Sequence, residues 1–457
     1  MRRDAGRLGS IVRRPGARRT AWSVVDQGIA SLANFAVVVI VARSVSVTSF
    51  GAFAVPLLVY TLVISVVRGV VSEPLAIRVS ARSDQRAEVA GAAGAALVSG
   101  AAAGLLVLPV AAYLGGDIGA ALAVTAVMLP ALVLQDTWRF ALFTMGRPGR
   151  AAMNDLAWAI VQTAAIVVVV VTTTAPVVLL TAAWAGAVLL PAALGARQTG
   201  VVPAVGQAIA YLHRHFTIGW RLASDALFRT GSRYLTMLII GGILGAGAVG
   251  AIRGGSTLFG PFTVAALGLM SGGIAEGSRL WARAPHRLVP VLWVMTSLLV
   301  AVSVMWSVVL LAMPESWGRA MLGDTWPAAS EVIVPFAAVT AGASVMTGAM
   351  LGLRIVSAAS EIFRIRVIAG CVMVVAGASG AWLAGTPGGV WGLAAGNWVA
   401  AIGAWWSLAR HRRGHPRVFA KPTRRRSALT TAGPDTARAD RGVPGWAADR
   451  AGHVAGG

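Results

Sequence analysis

Along most of the chain apolar positions run for about 20 residues at a time, the length an α-helix needs to cross the hydrocarbon core of a bilayer. Between these runs lie short polar stretches rich in arginine, proline and glycine. The pattern predicts helices near 22–41, 52–71, 89–114, 118–137, 156–174, 177–196, 224–247, 250–272, 288–312, 329–350, 366–384 and 389–409. The fifth and sixth are separated by "TTTAPVV", which leaves room for one tight turn.

The placement of arginine gives an independent count. With both termini cytoplasmic, Arg78, Arg82, Arg86, Arg139, Arg147, Arg150, Arg197, Arg214, Arg221, Arg279, Arg283, Arg287, Arg354, Arg364 and Arg366 all fall inside. The outer loops hold only Arg43 and Arg319. Positive-inside bias produces this alternation, and one missed helix would invert it downstream. Loops 42–51 and 313–328 are expected outside, and 75–88, 138–155 and 273–287 inside.

Composition agrees: 57% of residues are hydrophobic and 12% charged, and the mean hydropathy is +0.74. These values lie outside the balance of a soluble domain. The expected fold is an all-α integral membrane protein with about twelve transmembrane helices. A net charge of +22 would suggest nucleic acid in a soluble chain. Beside membrane spans it reports orientation instead, so no nucleic-acid partner is expected.

Five segments follow. Residues 1–21 read as a basic cytoplasmic tail, rather than a secretory or twin-arginine signal, because a full-length span follows. Helices 1–6 occupy 22–196, a cytoplasmic linker 197–223, and helices 7–12 occupy 224–410. Residues 411–457, rich in Arg, Pro, Gly and Thr, have little to bury and are expected to be a disordered basic cytoplasmic tail.

Sliding the second half over the first by 199 positions sets Asp26 on Asp225, Asn34 on Arg233, and "SFGAF" on "AVGAI". This suggests a parallel repeat of six helices, two pseudo-symmetric lobes with a path between them. In helix 1, Ser23, Asp26, Gln27, Ala30 and Asn34 form one stripe, and helix 7 repeats it with Asp225, Arg229, Ser232, Arg233 and Thr236. Helix 2 offers Ser65, Arg68 and Ser72, and helix 8 offers Arg253 and Ser256.

These arginines are the chain's most informative residues. One Arg at a helix centre costs from about 3 kcal/mol to above 10 kcal/mol, depending on the scale. Four in lipid are implausible, so Arg68, Arg229, Arg233 and Arg253 are expected to face a hydrated cavity or a partner. The acids counted at depth are Asp26, Asp225 and Glu73, which leaves a positive excess suited to an anion. Plainer roles stay open: Asp225 and Arg229 stand four apart and can pair on the helix. Arg68 can snorkel to the headgroups. Asp26 and Asn34 can bond neighbouring helices.

No catalytic constellation, Walker loop or cofactor motif is present, and no enzyme activity is expected. The only cysteine, Cys371, cannot form a disulfide within the chain. The six histidines have no carboxylate at ligand spacing, so no metal site is expected.

The stretch "DQGIASLANFAVVVIVARSVSVTSFGAFAV" resembles the opening of the polysaccharide transporter, Wzx-like flippases of the multidrug/oligosaccharidyl-lipid/polysaccharide exporter (MATE/MOP) superfamily. "LQDTWRFALFTMGRPGRAAMNDL" resembles the link between helices 4 and 5 of the same family. The likeness covers about 22–410; the family's usual Leu-Gly-Pro before Phe-Gly is "SVSVTSFG" here. It implies two six-helix lobes in a V that open alternately to each side. It also implies cargo of a polyprenyl-diphosphate-linked oligosaccharide, moved from the inner to the outer leaflet of the cell membrane for surface polysaccharide synthesis.

On this reading Arg68, Arg229, Arg233 and Arg253 bind substrate, while Asp26, Gln27, Asn34 and Asp225 are polar cavity groups available for coupling. Expected partners are the glycolipid, membrane lipids, and the polymerase and glycosyltransferases of the same assembly line. Two alternatives stand beside it: a cation-coupled multidrug exporter of the same fold, with acids dominating the cavity, and a non-transporting scaffold for glycan enzymes.

Overall fold

A computed structural model describes residues 15–78, 85–262, 280–281 and 284–414. Among the described residues all regular structure is helical. Helix α1 runs Pro15–Ser44. Helix α2 runs Val47–Val67 and continues through a π-helical turn, Arg68–Ser72, into Glu73–Arg78. Then come α3 (Gln85–Leu114), α4 (Gly116–Thr144), α5 (Pro148–Thr172) and α6, which is Val177–Gly186 continued by Leu189–Thr199.

Helix α7 begins at Ala208–Ala226, passes a second π-helical turn at Leu227–Gly231, and ends with Ser232–Leu244. Helix α8 is Ala246–Leu258, and the remainder of the predicted 250–272 span, from 263 on, lies outside the described residues. Helix α9 is Leu288–Leu311 and α10 is Ile333–Ile355. Helices α11 and α12 divide Ala359–Gly414 at Ala384 and Gly385, where the backbone leaves helical angles.

The local chemistry explains the turns. Thr173 Oγ1 accepts from the Ala175 amide at 2.9 Å, holding the tight turn between α5 and α6. Gly245 joins α7 to α8 at φ 88°, a region that disfavours any side chain.

The predicted repeat is visible in the packing. Helix α3 packs on α4, and six helices later α9 packs on α10; α1 packs on α5, and α7 on α11–α12. Small residues permit the close approaches: Gly100 and Gly104 lie against Pro130 and Ala126. Along α12, the Trp398 and Trp405 indoles donate to the Ala338 and Val345 carbonyls at 3.1 and 2.9 Å, fixing it to α10. Outward positions such as Leu105, Leu106, Val171, Trp382 and Leu383 are exposed and apolar, the coat expected of a lipid-facing surface.

The lobes meet along α2. A Cβ on Gly51 would come within 1.7 Å of the Ala246 carbonyl, so α2 and α8 cross backbone to backbone. At the other end of α2, a Cβ on Gly69 would meet the Ala223 backbone at 2.4 Å. The predicted linker residues from 208 onward are therefore helical and docked on the first lobe. Tyr211 is buried there, its hydroxyl donating to the Val71 carbonyl at 2.9 Å. Beside it Glu88 accepts from Arg214 at 2.6 Å and faces His215 at 3.2 Å.

Eight helical spans are long and apolar enough to cross a membrane, with α11 and α12 counted together. Those that fall short among the described residues are α1, searched there over Ser31–Ser44, α7, and the described part of α8. These three carry most of the polar stripe.

Candidate functional site in the polar cleft

A rise of about 1.5 Å per residue gives approximate depths. Arg233 lies 11 residues before the end of α7, and Arg253 lies 7 residues after the start of α8. Both are thus about 10–16 Å from the α7–α8 turn, mid-depth in a core about 30 Å thick. Asn34, ten residues from the end of α1, lies at a similar level.

Arg253 Nη2 donates to Asn34 Oδ1 at 2.9 Å, which ties the second lobe to the first. The Nε atoms of Arg233 and Arg253 are buried without a hydrogen-bond partner, and neither side chain meets a carboxylate among the described residues. A buried guanidinium nitrogen without an acceptor is costly unless a further group completes the site.

Arg253 also closes one wall of a cavity of about 200 Å³ inside the first lobe. Its polar lining includes Asn34, Tyr60, Gln135, Gln162 and two ion pairs. Arg68 grips Asp136 with both arms of its fork, Nε to Oδ2 at 2.8 Å and Nη2 to Oδ1 at 2.5 Å. Its guanidinium also lies 5.8 Å from the Phe140 ring centre. Arg139 Nε stands 3.2 Å from Asp155 Oδ2, and Gln135 donates to Asp155 Oδ1 at 2.9 Å.

Asp136 and Asp155 are functional-looking residues that the hydropathy reading missed. Asp155 falls in the expected loop 138–155, whereas α4 continues to Thr144 and α5 starts at Pro148; Asp136 lies inside the expected helix 118–137 and belongs with Asp26, Asp225 and Glu73 in the count of acids at depth. The continuing apolar run "RFALFTM" was the available signal.

A third group sits near the π-helical turn of α7. Asp225 is bracketed by Arg366 of α11 and by Arg229, the latter at 3.6 Å. Arg229 thus makes the intrahelical pair that its spacing allowed. Ser232 and Thr236 leave the predicted stripe: a Cβ on Gly370 would touch Ser232 and one on Gly377 would touch Thr236, so both face α11. The side chains of Asp26 and Gln27 lie outside the described residues. The structure therefore brings Asn34, Arg233 and Arg253 to one level, places Arg68 in the first lobe's cavity, and groups Asp225 and Arg229 elsewhere.

No family model matches the chain. No curated protein matches it in sequence. Solved structures do match in shape. An inward-facing multidrug resistance MATE family transporter of the MOP superfamily superposes with a TM-score of 0.71 at 12% identity, covering 87% of this chain and 99% of that one. The lipid II flippase MurJ, in an inward closed conformation, gives 0.67 at 9% identity over 85% and 87%. A MOP superfamily transporter from Pyrococcus furiosus Vc1 (DSM3638), reported with a binding pocket of reverse polarity that suggests a different function, gives 0.53 at 15% identity over 89% and 98%. This chain has the MATE fold of a multi-pass membrane protein.

Proposed function

We propose that the chain is a flippase that carries a polyprenyl-diphosphate-linked oligosaccharide from the inner to the outer leaflet by alternating access. The basic end of the helices faces the cytoplasm, as positive-inside bias requires. The observation that carries the reading is the pair Arg233 and Arg253: mid-depth guanidinium groups without carboxylates among the described residues. A diphosphate suits them, because planar forks give paired, charged hydrogen bonds and stay protonated at any working pH. Cargo release breaks only non-covalent contacts. The lipid cargo named for MurJ is of the same chemical class, which supports the reading by analogy of fold.

A cation-coupled drug exporter of this fold is the second reading, favoured by the buried Asp136 and Asp155. Each already faces an arginine, which leaves less charge for a cationic drug or a coupling ion.

The test is reconstitution in liposomes with fluorescent lipid-linked oligosaccharide, scored for leaflet exchange. Exchange by the wild type that falls about ten-fold or more in Arg233→Ala and Arg253→Ala supports the flippase. Unchanged exchange in both variants rejects the arginine pair as the diphosphate site. No exchange by folded wild type, with uptake of a cationic dye instead, establishes the exporter.

A further inference from the structure

The cavity inside the first lobe has a lining that ion pairing alone does not explain. Asp155, Trp158 and Gln162 stand three and four residues apart, so one face of α5 turns toward it. Tyr60 of α2 and Trp184 of α6 also line it, their rings packed edge to face at 5.4 Å. Its volume of about 200 Å³ is more than ten times the roughly 10–15 Å³ that one buried water needs.

Several polar groups of this lining lack partners. Gln162 is only 7% exposed, yet its amide makes no hydrogen bond with any described residue. Trp158 buries its Nε1–H without an acceptor. The Tyr60 hydroxyl likewise meets no partner among the described residues. Buried donors and acceptors left unpaired are unfavourable, so the lining suits a guest that bonds to them.

The chemistry of that guest follows from what the lining holds. Amide, hydroxyl and indole groups offer neutral donors and acceptors, and three aromatic rings offer apolar faces. A pyranose ring carries both complements, with hydroxyl groups around its edge and C–H bonds on its faces. Arg68 with Asp136 and Arg139 with Asp155 offset each other, so these pairs present no surplus carboxylate to a cation. Arg253, bonded to Asn34 at 2.9 Å, lines the cavity and also belongs to the proposed diphosphate site. A group joined directly to a diphosphate held there lies at the edge of the cavity.

We infer that the first-lobe cavity is a sugar subsite, which takes the pyranose attached to the diphosphate while Arg233 and Arg253 hold the phosphates. The inference rests on the proposed cargo and names the part of it that is read for identity. Gln162, Trp158 and Tyr60 set which sugar is carried, because buried polar groups disfavour a ligand that leaves them unpaired.

The test uses the full chain in detergent and calorimetric titration with farnesyl diphosphate, bare or carrying one glucose, galactose, mannose or N-acetylglucosamine. Wild type is expected to prefer at least one glycosylated lipid over the bare one by about ten-fold or more. Gln162→Met keeps the bulk of the side chain and removes the unpaired amide, so the thermal unfolding midpoint should hold or rise. It should cut the sugar preference about five-fold and leave the affinity for bare farnesyl diphosphate unchanged, a split that a structural role would not produce. Trp158→Phe, which removes only the unpaired N–H and one ring, should act in the same direction.

A wild-type preference below two-fold for every sugar would overturn the subsite and leave the arginine pair untouched. So would preferences in Gln162→Met and Trp158→Phe that both stay within two-fold of wild type. Failure of wild type to bind either form of the lipid would reject the diphosphate site instead. Methyl glycosides of the same sugars then decide the cavity alone: thermal stabilisation that Gln162→Met abolishes sustains it, and no stabilisation overturns it.

Discussion

In the first lobe's cavity Arg68 meets Asp136 and Arg139 meets Asp155, each across a helix boundary. Across the cleft, Arg233 and Arg253 meet no carboxylate among the described residues. The same side chain, at comparable burial, thus serves two ends. A matched pair settles its own desolvation and holds α2 to α4 and α4 to α5. An unmatched guanidinium has no such compensation among the described residues, which is why the proposed function places the diphosphate there. Charge at depth is therefore informative only after its partners are counted.

The sharpest way to break this contrast is to unpair the first lobe. Arg68→Ala leaves Asp136, only 5% exposed, without its cation. The cost is about 3 kcal/mol, the lower end for a buried pair because Arg68 is itself partly exposed. A clear drop in thermal unfolding midpoint and folded yield is expected, whereas Arg233→Ala and Arg253→Ala should keep the wild-type midpoint or raise it. Equal losses in all three would erase the distinction.

Next in size is the repair. Arg68→Met together with Asp136→Leu removes both charges, and such replacements are often neutral. The unfolding midpoint should return close to wild type and leaflet exchange should persist. Recovered stability with abolished exchange would make the Arg68 pair part of cargo binding, as the sequence first suggested.

Much of the fold could be read from the chain because lipid imposes a coarse rule: about 20 apolar residues per crossing, with arginine on one side. The tight turn at Thr173–Pro176 follows from it, while the six-helix repeat shows in the polar positions that a shift of 199 superposes. Ion pairing is a finer matter. Asp136 and Asp155 are single acids on the apolar helices α4 and α5, and only three-dimensional packing sets them opposite Arg68 and Arg139. Likewise the spacing of Asp225 and Arg229 permitted a pair, but nothing local named Arg366, 141 residues away, as the stronger partner.

Subtler changes sharpen the other side of the contrast. Arg253→Lys keeps the charge and loses the planar fork, so exchange should recover only part of what Arg253→Ala loses. Full recovery would mean that charge alone suffices. Smallest is Asn34→Ala, which removes one hydrogen bond to Arg253, worth about 1 kcal/mol, and should slow exchange about five-fold with only a small drop in unfolding midpoint.

Helix α7 has a foot in each lobe, and this orders events in time as well as in space. Tyr211 and His215 find Val71 and Glu88 in chain already made, so the first half of the helix can dock as soon as it is synthesised. Its second half also touches α2, but its partner on α11 comes later: Gly377, which receives Thr236, is made 141 residues afterwards. At about 5–20 residues per second that delay is about 7–28 seconds. For that interval the contacts available to α7 are those with the first lobe, at Val71 and Glu88 for its first half and along α2 for its second.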